Sequence, residues 1–446
     1  MNGSRVINRL WAFTFFFAVA SDVMSGAFRY VALIAGANPL FYAPKALMLV
    51  CIVVLLAQRP PKIGYLLTGL YLAIQACVAL ANGVELPAVF FWLWLVSPML
   101  FAMLAPAGAI DMLNGRTSRI AFLILAVVCM VGVYVNFYMP MPWTGASVDM
   151  GGVAVGNPHQ SYTGFVKRLA GFGRSSASTG LLIGLMITWL LPRIRSRVVI
   201  AVLLAASAVA IWATTNKTTL VAVALVVALY CLARAPTLRK ACIWAAAVMV
   251  IFPFGSFIAT AAVNDVVVGS GALSSFQDRV VDTWPLILQG MLREKLIWLG
   301  IGPGGFGAAA GYYKGDFGFN VGYADNLALY AVANFGLFGG ALLAFLLTKF
   351  VLFRESEDKS LWIMLFFLLL SGVTTDVVES LGCLLFLGLT IRSLAAAPTP
   401  QLLPARSFSH IRPSENRRNR GMSPADRAAR GAWRPSVAKT KTEASK

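Results

Sequence analysis

Residues 264–326 read NDVVVGSGALSSFQDRVVDTWPLILQGMLREKLIWLGIGPGGFGAAAGYYKGDFGFNVGYADN, the one long polar interruption in a chain built almost wholly of apolar runs of membrane length. They carry Asp278, Arg279, Asp282, Lys314, Asp316 and Asp325. Around them, 59% of the 446 residues are hydrophobic and 12% charged, with a mean hydropathy of +0.75. That composition excludes an ordinary soluble protein. Roughly 17 to 25 apolar residues cross the hydrocarbon as a helix. Twelve such runs begin near Leu10, Leu40, Gly64, Ala88, Arg119, Ser176, Val198, Thr218, Ala241, Asn326, Ser360 and Val377. The last two are short and also read as one re-entrant pair. Helices are required because unpaired backbone groups in lipid are costly, and the runs lack the alternation of a barrel. The sequence therefore predicts an all-α polytopic membrane protein with about twelve transmembrane helices, a long outward loop over 261–325 and a domain over 1–398 followed by a basic tail over 399–446.

The basic residues orient the chain by the positive-inside rule. With Arg5 and Arg9 inside, every second connection is basic: Arg59/Lys62, Arg116/Arg119, Arg193/Arg195/Arg197, Arg234/Arg239/Lys240, Lys349/Arg354/Lys359 and the tail. The intervening connections then face outward, namely Ala35 to Pro39, Asn82 to Glu85, Phe137 to Ser175, Ala213 to Lys217, Ala261 to Asp325 and Thr374 to Glu379. Both termini are expected in the cytoplasm. The first apolar run continues past Ala20 without a convincing cleavage site, so the first helix is expected to be its own insertion signal. All six cysteines fall in apolar runs and read as small hydrophobes. The tail holds eleven Lys/Arg and three Asp/Glu. It is expected to be a disordered cytoplasmic anchor attracted to membrane lipid, and not a nucleic-acid binder, because Phe408 and Trp433 are its only aromatic residues of the Phe, Trp and Tyr type and it has no folded module. Much of the net charge of +19 thus concerns the membrane.

Topology disfavours arginine in outward loops, so the cations found there are the ones to question. Lys167, Arg168 and Arg174 lie in KRLAGFGRSS (167–176), where Gly171 and Gly173 are expected to let backbone approach a bulky anion and the two arginines to grip phosphates. Interfacial arginines snorkelling to headgroups would look the same. Lys217 stands in TTNKTT (214–219) and reads equally as an anion ligand or an interfacial anchor. Asp278, Arg279 and Asp282 share one helical face, which holds Arg279 between carboxylates, ready to stabilise charge on a leaving phosphate. GIGPGGFG (300–307) lacks the Lys-Ser/Thr of a phosphate loop and reads as a helix stop and tight turn. Asp325 falls where the tenth helix begins, either as its N-cap or as a general base raised by desolvation. His159 is a second candidate base. Asp376 and Glu379 are outward carboxylates too scattered for a metal site, so metal-independent chemistry with no cofactor is expected. Outside the cytoplasm nucleotide sugars and ATP are scarce, so any reaction there draws on an already activated, lipid-linked substrate.

The order of these features resembles the O-antigen ligase and polysaccharide polymerase superfamily, integral-membrane glycosyltransferases of GT-C-like architecture. The likeness runs from about Arg168 to Gly340. It includes RLAGF (168–172) through Gly180, TNKT (215–218) where the family usually has Ser-Arg, Asp278-Arg279 with Trp284, LGIGPGGF (299–306), and YADNLAL (323–329) followed by NFGLFG (334–339). The resemblance implies that Arg279 is a diphosphate-binding arginine, with Lys217, Arg174 and Arg168 as further diphosphate ligands. Asp325 occupies the place of the family's usual histidine, which makes a carboxylate base the better expectation. It further implies an inverting polymerase in the bacterial inner membrane. Such an enzyme moves a growing glycan from undecaprenyl diphosphate to a lipid-linked repeat unit, alongside polysaccharide export and chain-length proteins. A ligase acting on lipid A core or protein remains the alternative. A lipid-linked sugar transporter, favoured by Asp22 and Arg29 near the first helix, is the third.

Overall fold

The computed structural model describes residues 2–58, 63–145, 147–150, 153–156, 162–163, 166–262, 274–313, 315, 317–319, 321–354 and 356–396. The Arg59/Lys62 connection, His159, Lys314, Asp316 and the tail lie outside the described residues. The first half of the chain forms α1 (Asn2–Val23), α2 (Ser25–Ile34), α3 (Ala43–Ala57), α4 (Ile63–Ala81), α5 (Leu86–Met103), α6 (Ala107–Asn114) and α7 (Arg116–Tyr138). Two short antiparallel hairpins pair Ser147–Met150 with Val153–Gly156 and Tyr162–Thr163 with Val166–Lys167. The second half forms α8 (Ser176–Leu190), α9 (Arg197–Ala213), α10 (Lys217–Leu232), α11 (Ala235–Ala262), α12 (Ser274–Asp278), α13 (Trp284–Arg293), α14 (Ala308–Tyr312), α15 (Leu327–Phe353), α16 (Lys359–Ser371) and α17 (Leu381–Ala396).

Each of the twelve apolar runs is helical. Seven spans of 18 to 27 residues, in α1, α3, α4, α5, α7, α11 and α15, are long and apolar enough to cross a membrane. The other five, α8, α9, α10, α16 and α17, are shorter apolar helices. Burial explains part of that difference. Thirteen of the fifteen residues of α8 are buried, and ten of the thirteen in α16. Helices that are apolar on every side but surrounded by other helices gain their packing from protein. In α4, by contrast, only Gln75 and Ala79 are buried. α16 and α17 are separate helices, and α17 packs along α5.

The interior is tied together by aromatic side chains. Trp11 stacks on Phe101 with ring centroids 4.8 Å apart and donates its indole N–H to the Phe101 carbonyl at 3.1 Å. Phe15, Phe122, Trp189 and Phe386 meet one another edge-on or tilted. That cluster draws α1, α5, α7, α8 and α17 into one core.

The glycine-rich stretch after α13 is more than a turn. It forms a strap against α15, which is interrupted at Gly336, where φ is +69°. The freed backbone groups are taken by the strap. Ile301 and Gly302 donate to the carbonyls of Ala333 and Asn334 at 2.8 and 3.0 Å, and Leu337 and Phe338 donate to those of Ile297 and Trp298 at 2.8 and 3.3 Å. A side chain at Gly336 would strike the Trp298 carbonyl, and one at Gly302 would strike Ala79 of α4. The Asn82 side-chain amide donates to the carbonyls of Gly300 and Ile301, both at 3.1 Å.

Candidate functional site

Three segments distant in sequence make the site. The first is the run before α8. Asn136, near the end of α7, accepts the amide hydrogens of Ala170 and Gly171 at 3.1 and 3.3 Å. Leu169 donates its amide to Ala213 at 3.3 Å, and the Phe172 carbonyl accepts from Gly26 and Ala27 at 3.0 and 3.2 Å. The Arg174 amide donates to the Ser25 hydroxyl at 3.0 Å. Gly171 and Gly173 therefore serve a different purpose from close approach of an anion. At Gly171, φ is +60° and an added Cβ would lie 2.7 Å from the Val133 nitrogen; at Gly173 it would strike the Thr179 hydroxyl. Protein fills both approaches. Ser175 caps α8 by accepting the Ser178 amide.

The second segment carries Arg279. α12 runs into a π-helical turn over Arg279–Thr283 before α13 begins at Trp284. The buried Trp284 indole donates to the Ala324 carbonyl at 2.8 Å, which sets the turn beside the start of α15. Arg279 places two nitrogens on one carboxylate oxygen of Asp325, Nη2 at 2.7 Å and Nε at 3.0 Å. Its Nη1 donates to the Ser275 carbonyl at 3.3 Å. The two side chains are 21% and 30% exposed. The expectation that Asp278 and Asp282 hold Arg279 is corrected here: both are exposed on the turn itself, and the partner comes from across the loop.

The third segment is the connection between α16 and α17. Asp325 has φ +50°, a left-handed backbone that costs a non-glycine residue energy. The conformation is held from outside: one oxygen of Asp376 accepts the amides of Ala324 and Asp325 at 3.3 and 3.1 Å. The helix cap is Asn326, not Asp325. The Asn326 side chain accepts the Leu329 amide at 2.9 Å and donates to Met249 and Val373, both at 3.0 Å. Glu379 accepts the Ala308 amide at the start of α14. Asp376 thus sits against the Asp325 backbone, and Glu379 feels the Asp325 charge.

Electrostatics follow from this crowding. Burial raises the Asp376 carboxyl well above its ordinary range, and the charges of Glu379 and Asp325 raise it further. Burial pushes Glu379 up to about 7; the Ala308 amide and the Arg174 charge pull it down, while Asp325 pushes it up. The Arg168 guanidinium is lowered by burial first, then by the charge of Arg279, with Asp325 opposing. Its buried Nε has no hydrogen-bond partner.

The site thus gathers Arg168, Arg279 and Asp325 of the sequence-predicted residues. The Arg174 charge acts instead on Glu379, Asp22, Arg29 and Lys45. Lys217 is the first residue of α10, whose Thr218 hydroxyl meets that of Thr374 at 2.8 Å, two residues before Asp376. Asp376 and Glu379 are the functional candidates that sequence reading passed over. Among the described residues no group of three or more His, Cys, Asp or Glu could hold a metal ion. No family model, no curated protein and no solved structure matches the chain. What the fold itself defines is a polytopic helical membrane protein with a paired arginine and aspartate beside one buried and one half-buried carboxyl group.

Proposed function

We propose that this protein is a membrane glycosyltransferase that moves a growing glycan from a polyprenyl diphosphate to a sugar hydroxyl of another lipid-linked repeat unit. The observation that carries the reading is the Arg279–Asp325 pair with Arg168 beside it. Cations for a leaving diphosphate and a carboxylate for a departing proton stand together at one end of the bundle. The acceptor oxygen attacks the anomeric carbon, the bond from that carbon to the phosphate oxygen breaks, and the carrier diphosphate leaves with the electron pair. Arg279 and Arg168, joined by Lys217 from α10, offset its charge; Asp325 takes the hydroxyl proton. Each of these contributions is worth powers of ten in rate.

The topology that goes with this reading has all twelve apolar helices crossing the inner membrane of a bacterium, both termini in the cytoplasm and the site outside. In support, α8 has Arg174 before its first turn and Arg193 after its last, separated by about 22 Å of helix. Arg193 joins Asn114 at 3.0 Å and its carbonyl accepts from Arg119 at 3.5 Å, so basic connections gather at the end of α8 away from the Arg279 site.

The test is Arg279→Ala in the producing cell, with carrier-linked glycans sized and the protein level measured. Accumulated single repeat units at unchanged protein level are the expected result. Long unattached chains would point instead to a ligase transferring to lipid A core or protein. An unchanged profile would remove the Arg279 loop from the chemistry and favour a transporter.

A further inference from the structure

Apart from the Arg279–Asp325 pair, the structure holds a second group of cations that the proposed transfer reaction leaves unused. Arg29 of α2 is only 4% exposed. Its guanidinium lies over the Phe41 ring, 4.6 Å from the centroid, and its Nε and Nη1 have no hydrogen-bond partner. Among the described residues no carboxylate pairs with it. The charges nearest in effect are the like charge of Arg174 and the phenols of Tyr312 and Tyr42. Lys45 of α3 lies 5.4 Å from the centre of the Trp94 ring and feels both Asp22 and Arg174. Asp22 interacts with both Lys45 and Arg174, and one of its oxygens already accepts the Gly382 amide at 2.9 Å.

A guanidinium taken out of water without hydrogen bonds is strongly unfavourable. Stacking on a ring recovers only part of that. Water can fill the bonds of Nε and Nη1 but brings no negative charge to the buried Arg29, on which the largest charge effect is the like charge of Arg174; an oxyanion meets both needs. The walls are aromatic: Phe41 meets Tyr42 at 5.7 Å, Tyr42 meets Trp94 at 5.9 Å, and Phe91 meets Tyr312 at 5.3 Å between ring centroids. Flat apolar ring faces beside fixed cations suit a sugar ring that bears a carboxylate, since the ring's C–H face stacks while the acid meets the guanidinium.

We propose that Arg29, Lys45 and Arg174, walled by Phe41, Tyr42 and Trp94, form a second oxyanion subsite that takes the carboxylate of an acidic sugar unit. It is separate from the Arg279–Asp325 pair, and its occupancy is a binding event that stands whether or not the transfer reaction is the one proposed above.

The experiment uses the full chain in lipid nanodiscs and reads thermal unfolding against three probes at matched ionic strength: a glucuronate-containing disaccharide, its neutral glucose counterpart, and inorganic pyrophosphate. The glucuronate probe is expected to raise the unfolding midpoint of the wild type while the neutral sugar does not. Arg29→Gln should weaken that response by about tenfold or more, Arg29→Lys should keep part of it, and Arg279→Gln should leave it intact. Should Arg29→Gln fail to fold, Lys45→Gln carries the same expectation. Equal responses to the acidic and neutral sugars would overturn the proposal, as would a glucuronate response indifferent to Arg29 and Lys45. A pyrophosphate response lost in Arg29→Gln, with none to glucuronate, would overturn the acidic-sugar assignment and give the pocket to a phosphate.

Discussion

Arg279 meets its carboxylate at 2.7 Å in a partly exposed corner, whereas Arg29, more deeply buried, leaves two nitrogens without partners. Both are guanidinium groups, and Arg174 and Glu379 lie electrostatically between their surroundings. The difference teaches what each can do with an arriving anion. In the proposed reaction a diphosphate arriving at Arg279 would compete with Asp325, so its binding would release a carboxylate as the proton acceptor. At Arg29 no carboxylate has to be displaced among the described residues, and an anion there gains hydrogen bonds to the Nε and Nη1 that have no partner.

The sharpest break of this contrast is Asp325→Asn, which keeps the shape of the corner but removes the charge that holds Arg279 and that the proposed reaction uses as its base. Product formation should fall by about a hundredfold or more, measured as polymer in cells at equal protein level. Near-normal polymer would mean the pair is structural only.

Glu379 tests the ground between the two guanidinium groups. Its carboxyl, ordinarily at 4.5, stands at about 7 in the folded protein. The folded chain therefore keeps a proton that the unfolded chain releases. The stability from this is fully present below about pH 4.5 and is lost as pH rises through about 7. Glu379→Gln should flatten that part of the unfolding profile in nanodiscs; an unaltered slope would mean that another group is responsible.

A smaller effect belongs to Asn326. Losing the cap and the two bonds to Met249 and Val373 should cost about 1 to 2 kcal/mol, read as a lowered unfolding midpoint, with the glucuronate response at Arg29 unchanged. Smallest of all, Asp282→Asn should leave both polymer and stability within about 0.5 kcal/mol of wild type, because Arg279 draws on Asp325 instead. A loss like that of Asp325→Asn would restore the local pairing that the sequence suggests.

Those outcomes bear on what could be read from the chain. Hydrophobicity alone locates all twelve apolar helices, since twelve long apolar runs have few other ways to satisfy their backbones. Arg168 and Arg279 drew notice as arginines in loops expected to face outward, and Asp325 by its place at the start of a helix; the structure brings the three together. Their geometry was not legible: Asp278 and Asp282 are neighbours of Arg279 in sequence, while the true partner is 46 residues away. Asp376 and Glu379 read only as outward carboxylates without a site, for their meaning comes from amides at Ala324, Asp325 and Ala308 that only tertiary packing brings to them. Arg29 was noticed for a different reason, as a mark of transport, since the rings around it come from Phe41 and beyond. Gly171 and Gly173 were misread because close approach looks the same in sequence whether the visitor is a ligand or another helix.

The interruption of α15 at Gly336 also has a consequence for biogenesis. The carbonyls of Ala333 and Asn334 receive their hydrogen bonds from Ile301 and Gly302, residues the ribosome has already delivered. Strap first and helix second is thus the order in which this half of the protein can be completed, because backbone groups left open in lipid are strongly disfavoured. A chain whose strap is spoiled, as by Gly302→Val, should stall with α15 unfinished and be cleared by the cell's membrane proteases before the Arg279 corner ever forms.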